Sequence, residues 1–293
     1  MIYNIHHNTI YQYEENVSNS HHIARLLPQT YPSQQILSSS IHVSPQPDVI
    51  STHTDYFGNQ TTYFSLSTPH KVLKIDSRST LDVTAQANPT LDLSPSWESV
   101  RDSLLTSRKP EDIAAAEFTF TSPLCPMDPQ LLAFAKKSFL PGKPILEACT
   151  DLTARIFKEF TFDTIVSTVS TPVLETFAKR AGVCQDFAHL QIACLRSLGL
   201  PARYVSGYLR TDPPPGQPRL IGADASHAWV SLYVPVFGWV DFDATNNVIP
   251  TENHIRFAHG RDYHDICPIR GTVYGGDRQI LKIGVTVTPL EEI

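Results

Sequence analysis

The hydrophobic period changes along this chain, and that change restricts the available folds more than any other feature. Over residues 1 to about 90, apolar and polar residues alternate in short segments at 34–43, 61–66 and, only in part, 71–83. A period of two belongs to strands with one buried face. The turn signal Tyr56-Phe57-Gly58-Asn59 separates two of them. Pro45, Pro47, Pro69 and Pro89 fall between segments, where a missing N–H costs no ladder bond. From about 95 to 200 the spacing shifts to three and four, and 96–105, 129–139, 145–160, 172–180 and 184–198 read as helices. Asp128-Pro129 and Thr171-Pro172 each set an N-cap residue before a proline at the first helical position. In the last helix Phe187, Leu190, Ala193, Cys194 and Leu198 share a face; Gly199 ends it and Pro201 prevents continuation. Strands return at 202–209, and 227–234 with 239–242 flank Pro235-Val236-Phe237-Gly238 as a hairpin. A last strand covers 280–289, with Leu281, Ile283, Val285 and Val287 on one face. The expected fold class is α+β: an antiparallel β domain over 1–90, then a mixed unit over 91–293.

The 293 residues are enough for a full core, and 41% hydrophobic with 18% charged residues is an ordinary globular balance. The net charge of −6 leaves no basic excess to neutralise phosphates, so nucleic acid is not the expected partner. No apolar run is long enough to cross a bilayer, so no membrane partner is expected. The start, Met1-Ile2-Tyr3-Asn4-Ile5-His6-His7, has no basic region followed by an apolar one, so no secretory signal is expected. The five cysteines (Cys125, Cys149, Cys184, Cys194 and Cys267) are odd in number and widely spaced, with no CxxC pair. They argue against a disulfide framework or a structural zinc site and for a reducing, cytoplasmic setting. His6-His7 and His21-His22 lack partners at metal spacing and are read as strand residues. Residues 211–218 (TDPPPGQP) read as a proline-rich surface loop.

Gly182-Val183-Cys184-Gln185-Asp186 places a cysteine at the start of a helix. Orphan N–H groups and the positive end of the helix dipole lower a thiol's pKa there and make it a nucleophile. Ser226-His227-Ala228-Trp229 and Trp239-Val240-Asp241-Phe242-Asp243 then supply a histidine and a carboxylate, and the three in order can act as nucleophile, base and orienter. With residues 234–238 as the hairpin loop, Tyr233 pairs with Trp239 and Trp229 with Asp243. Asp243 then lies one diagonal step from His227 on the same face, about 7–8 Å away at the backbone and within side-chain reach. A four-residue loop would turn Asp243 to the other face.

Three blocks, GVCQDFAHLQIACLRSLGLPARYVSGYL, ASHAWVSLYVPVFGWVDFDATNN and GRDYHDICPIRGTVYGG, resemble the bacterial transglutaminase-like cysteine protease family. The resemblance runs from about Phe160 to the C-terminus and more weakly through 1–90. It implies a papain-like, transglutaminase-type core behind a β-rich N-terminal domain, with helices packed on an antiparallel sheet. It also implies a hydrolase acting on a peptide or isopeptide amide, with no cofactor and no metal. Carried over residue by residue, Cys184 is the nucleophile that forms a thioester. His227 holds the thiol proton and donates it to the leaving amine, Asp243 fixes the imidazole tautomer, and the Cys184 N–H is an oxyanion donor. Two positions depart from the family: Phe162 stands where relatives often have tyrosine, and Ala244 where they usually have proline.

Neighbouring residues have their own expectations. Asp186, two residues beyond Cys184, points away from it on a helix and is expected to pair with Arg203. Candidate substrate-binding residues are Gln185, which can face the cleft or solvent, Trp229, which can line the cleft or fill the core, and Arg261. In Gly260-Arg261-Asp262-Tyr263, Arg261 can brace the site or bind a substrate carboxylate. Three other readings stay open: acyl transfer to an amine by the same residues, a binding scaffold with a decayed site, and a zinc ion held by Cys184, His227 and Asp243.

Overall fold

The computed structural model describes residues 1–85, 89–210 and 225–290; the proline-rich loop expected at 211–218 lies outside them. The chain opens with β1 (Ile2–Ala24), a 23-residue strand that carries both histidine pairs. Strands β2 (Gln34–Ser44), β3 (Val49–Thr54), β4 (Gln60–Leu66) and β5 (His70–Val83) complete an antiparallel path in the order β2-β5-β1-β4-β3. The weak alternation at 71–83 becomes regular burial: Leu73, Ile75, Ser77, Ser79, Leu81 and Val83 all turn inward. Two serines occupy core-facing positions, so the apolar pattern alone understates the period.

The helical stretch follows. Ser96 caps α1 (Trp97–Thr106), accepting from the Ser99 N–H, and the short α2 (Pro110–Ala116) comes next without having been expected. The Asp128 side chain caps α3 (Pro129–Lys136), with proline in the first turn as the sequence indicates. Then come α4 (Ile145–Glu159), β6 (Thr161–Phe162) and α5 (Val173–Lys179), where extended Pro172 rather than Thr171 takes the cap position. β7 (Ala181–Gly182) pairs in parallel with β6 and leads into α6 (Cys184–Ser197).

The second sheet contains β8 (Ala202–Leu209), β9 (Ala225–Val234), β10 (Gly238–Phe242) and β11 (His254–Gly260), antiparallel in the order β10-β9-β8-β11. Helix α6 lies on it, burying Phe187, Leu190 and Cys194 in one core with Tyr204, Val230 and Leu232. Each such side chain removed from water contributes about 1.5–3 kcal/mol. No helix among the described residues is long and apolar enough to cross a membrane.

After the short α7 (Tyr263–Ile266), strands β12 (Ile269–Gly275) and β13 (Gln279–Leu290) return to the first sheet. They pair with Val17–Ala24 and Ile2–Tyr13 of β1 respectively. The unit expected over 91–293 therefore gives its last two strands to the N-terminal sheet. The physical reason is that β13 covers the edge of β1 left open opposite β5, and an unpaired edge of that length is a template for aggregation. The two sheets meet through Tyr3, Ile5, Val285 and Val287 on one side and Tyr208, Ile255 and Phe257 on the other.

Candidate active site

Cys184 is the first residue of α6 and is half-buried. Val183 at the cap position has no side-chain acceptor, so Asp186 supplies one half of a capping box, its Oδ2 accepting from the Val183 N–H at 2.8 Å. Ser167 donates to the same oxygen at 2.6 Å. Asp186 is thus committed to the helix start and does not pair with Arg203; a carboxylate at this end of a helix is also favoured by the dipole. Gly182 makes room for it, since a Cβ there would lie 2.8 Å from both Cβ and Oδ2 of Asp186. Phe162, paired with Gly182, is exposed and brings no hydroxyl to this entrance.

In the β9–β10 hairpin Trp239 pairs with Tyr233, the expected register, and the ladder runs to Phe242 opposite Val230. Asp243 follows directly, and His227 Nε2 donates to Asp243 Oδ2 at 2.8 Å. Two further donors reach that oxygen: His254 Nε2 at 3.0 Å and Asn246 Nδ2 at 2.7 Å. The backbone N–H groups of Thr245 and Asn246 donate to Oδ1 at 2.9 and 3.3 Å. The carboxylate is fully buried and saturated with donors. Ala244 is buried in the tight turn that presents those N–H groups, so the turn forms without the family's usual proline.

The electrostatics follow from this. Burial pulls the His227 pKa down, but hydrogen bonds to Asp243 and Cys184, with the charges of both, outweigh it and lift it to about 9. The ring is therefore a cation at neutral pH. Burial raises the Asp243 carboxyl, while donation from His227, His254 and Asn246 overrides it and holds the group well below the usual carboxylate range. With Nε2 committed to Asp243, Nδ1 is the ring nitrogen left for the thiol.

Cys184 opens into a cavity of about 340 Å³. Gln185 lines it and donates to the Val169 carbonyl at 3.0 Å. The far wall comes from the first sheet: His7, Thr9 and Tyr11 of β1 with Leu281 and Ile283 of β13. His7 is buried and bonded to Tyr208 and Thr9, and burial lowers its pKa to about 4, so it is neutral. Its place in this wall had no signal in the residue pattern, because strand alternation does not say which face meets another unit.

Two other candidates stand apart from that cavity. Trp229 is fully buried, and its Nε1–H goes to Asp241 Oδ2 at 2.7 Å, so it is a core residue and not a cleft wall. Arg261 binds Asp265 through Nε and Nη2 at 2.8 and 2.9 Å, and its carbonyl accepts from Arg196; the guanidinium braces a turn rather than a substrate. Asn246 and His254 are the members that sequence reasoning missed. Asn246 lay in the quoted block, three residues beyond Asp243, where a turn can fold it back. The metal reading also changes: among the described residues the donor group is His227, Asp243 and His254, with ligand atoms within 4.8 Å, and Cys184 is not part of it. Those atoms are bonded to one another through protons that a metal would have to displace.

Comparison with known proteins agrees with this architecture. Residues 3–82 match the family described as the bacterial transglutaminase-like N-terminal region, and residues 133–244 match the transglutaminase-like superfamily. An uncharacterized protein of Mycobacterium tuberculosis (strain ATCC 25618 / H37Rv) is 38% identical over 297 residues, which is 99% of this chain and 93% of that protein. A protein-glutamine gamma-glutamyltransferase of Pseudomonas aeruginosa is 31% identical over 107 residues, 34% of this chain and 16% of that protein. Among solved structures, a candidate cysteine protease from Cytophaga hutchinsonii superposes with a TM-score of 0.74 at 22% identity, covering 100% of this chain and 92% of that one. At that identity the likeness is one of fold. With matches to both its N-terminal and core regions and a full-length relative at this level of identity, the chain belongs to the transglutaminase-like superfamily.

Proposed function

We propose that the protein is a cysteine hydrolase that cleaves a peptide or isopeptide amide in a peptide or protein substrate. The observation that carries this reading is the His227 imidazole, bonded to Asp243 through Nε2 and lining one cavity with Cys184, which starts a helix. The Cys184 sulfur attacks the amide carbonyl, and the negative charge that forms on oxygen is met by the Cys184 backbone N–H. His227 passes its proton to the leaving amine as the C–N bond breaks, which leaves a thioester. Water then attacks with His227 taking its proton, and the acid is released as the thiol re-forms. Asp243 keeps the ring oriented and supports its positive charge throughout. Gln185 contacts the substrate at the cavity mouth. No metal or organic cofactor enters this cycle, and the free thiols suit a reducing compartment such as the cytoplasm.

A second reading, acyl transfer to an amine, is favoured by one observation: the matched stretch of the Pseudomonas aeruginosa protein-glutamine gamma-glutamyltransferase. Both reactions share the thioester and differ in the acceptor. Incubating the protein with a glutamine-containing peptide library and a labelled primary amine separates them. Free acid product without incorporated label supports hydrolysis; label in excess of free acid overturns it. No product from either route, with Cys184 alkylated no faster than Cys267, would leave the scaffold reading standing.

A further inference from the structure

A larger cavity, separate from the one holding Cys184, contains an unspent positive charge. Arg203, on β8 beside Tyr204, is only 7% exposed. Asp186, the partner expected for it, faces the start of α6 instead. Among the described residues the Arg203 guanidinium makes no ion pair and no hydrogen bond, and its Nε is buried without a partner. The group lies over the Trp239 ring with Cζ 4.1 Å from the centroid, a contact that neutralises nothing.

The neighbours do not cancel the charge either. Across the strand from Arg203 stands Ser231, which is uncharged. Asp241 is the carboxylate nearby, but its charge is paired with Arg256, whose Nε and Nη2 lie 2.8 and 2.7 Å from its Oδ2. Among the described residues its Oδ1 is buried without a hydrogen-bond partner, from Arg203 or any other group. Burial, with help from Arg203 and Arg256, pushes the His259 pKa down to about 2, so His259 adds no charge. Tyr31 stays a neutral phenol, since burial raises its pKa to about 12. Burial draws Arg203 itself down to about 10, opposed by Tyr31 and Asp241, so it is still a cation at neutral pH. Two guanidinium groups therefore share one carboxylate. A buried charge left unpaired is among the most costly arrangements a fold can keep.

The guanidinium lines a cavity of about 810 Å³. Trp239, Val240 and Ile249 give it an apolar wall, and Arg203, Tyr31 and the Arg256–Asp241 pair a polar end. A concave, largely apolar space with a few convergent polar groups is the usual form of a small-molecule site. The unmatched charge is one unit, and a guanidinium presents a planar fork suited to a carboxylate. A dianionic phosphate would overcompensate it.

We propose that this cavity binds a ligand carrying one carboxylate on an apolar or aromatic body, with the carboxylate seated on Arg203 and the body between Trp239 and Ile249. The site is independent of Cys184, so it stands or falls apart from the reaction proposed above.

Calorimetry and thermal-shift measurements on the full chain test it, with benzoate, benzamide and inorganic phosphate as probes. Benzoate should bind saturably and raise the melting temperature, while benzamide and phosphate bind at least about tenfold more weakly, a difference of about 1.4 kcal/mol. Cys184→Ala should bind benzoate as the wild type does. Arg203→Met keeps the side-chain stem and removes the lone charge, and it should fold without binding benzoate. Ile249→Trp fills the apolar end with Arg203 intact and should also abolish binding; it carries the test if Arg203→Met does not fold. Absence of benzoate binding to the wild type, equal binding of benzamide, or binding retained in Ile249→Trp overturns the proposal.

Discussion

His227 Nε2 lies 2.8 Å from Asp243 Oδ2, and this bond decides how the imidazole is used. It assigns one ring nitrogen to a buried carboxylate and leaves Nδ1 free of it, on a ring that lines the same cavity as Cys184. The bond spans the end of the β9–β10 ladder, so the register of one hairpin sets the geometry of the site.

His227 should make stability depend on pH. Its folded pKa is raised from 6.5 to about 9, so its contribution to stability is fully present below about pH 6.5 and is lost as pH rises through about 9. A shift of this size corresponds to a contribution on the order of 3 kcal/mol. Urea unfolding of the wild type and His227→Gln should show the widest gap at about pH 6 and a closing gap toward about pH 10. A gap that widens as pH rises would contradict the geometry.

His254 should matter to Asp243 more than any sequence motif suggests. It donates to the same oxygen as His227, and hydrogen bonds to charged groups contribute about 1.5–3 kcal/mol. His254→Phe should destabilise the chain by that order and slow alkylation of Cys184 by iodoacetamide, because Asp243 no longer holds His227 firmly. His254→Gln, which keeps a donor, should recover part of both. Unchanged alkylation in a folded His254→Phe protein would reduce His254 to packing.

The sequence carried Cys184, His227 and Asp243 because each sits in a local pattern: a helix start, a strand and a strand end in fixed register. It carried the helices at 96–105 and 145–160 because their apolar faces are broad and their boundaries marked. It did not carry His7 or Ile283, which reach the Cys184 cavity only because β1 and β13 pair across nearly the whole chain. Nor did it carry the capping role of Asp186. The helix position says that the side chain points away from Cys184, but not that Ser167 and the Val183 N–H wait on that side.

Gly182 gives a direct check on the helix start. A Cβ at 2.8 Å from Asp186 Oδ2 cannot be accommodated without moving that side chain from the Val183 N–H. Gly182→Ala should cost about 1 kcal/mol through the lost cap, plus the strain of the close approach. It should also lower the alkylation rate of Cys184, whose N–H follows directly. A Gly182→Ala protein as stable and as reactive as the wild type would mean the cap does not set the position of the thiol.

The two aspartates of β10 and its end, two residues apart, should fail in different ways. Asp241 accepts from Trp229 and Arg256 and is buried. Asp241→Asn leaves Arg256 uncompensated, and breaking a buried pair this way costs about 3–5 kcal/mol. Adding Arg256→Met should return part of that stability, since an apolar replacement of a whole buried pair is often nearly neutral. Asp243→Asn also loses stability, but its distinguishing effect is on His227, which loses the charge that supports its proton. Alkylation of Cys184 should therefore fall sharply in Asp243→Asn and stay near wild type in Asp241→Asn wherever that protein remains folded. Equal loss of reactivity in both would show that the thiol responds to general loosening of the sheet and not to the His227–Asp243 bond.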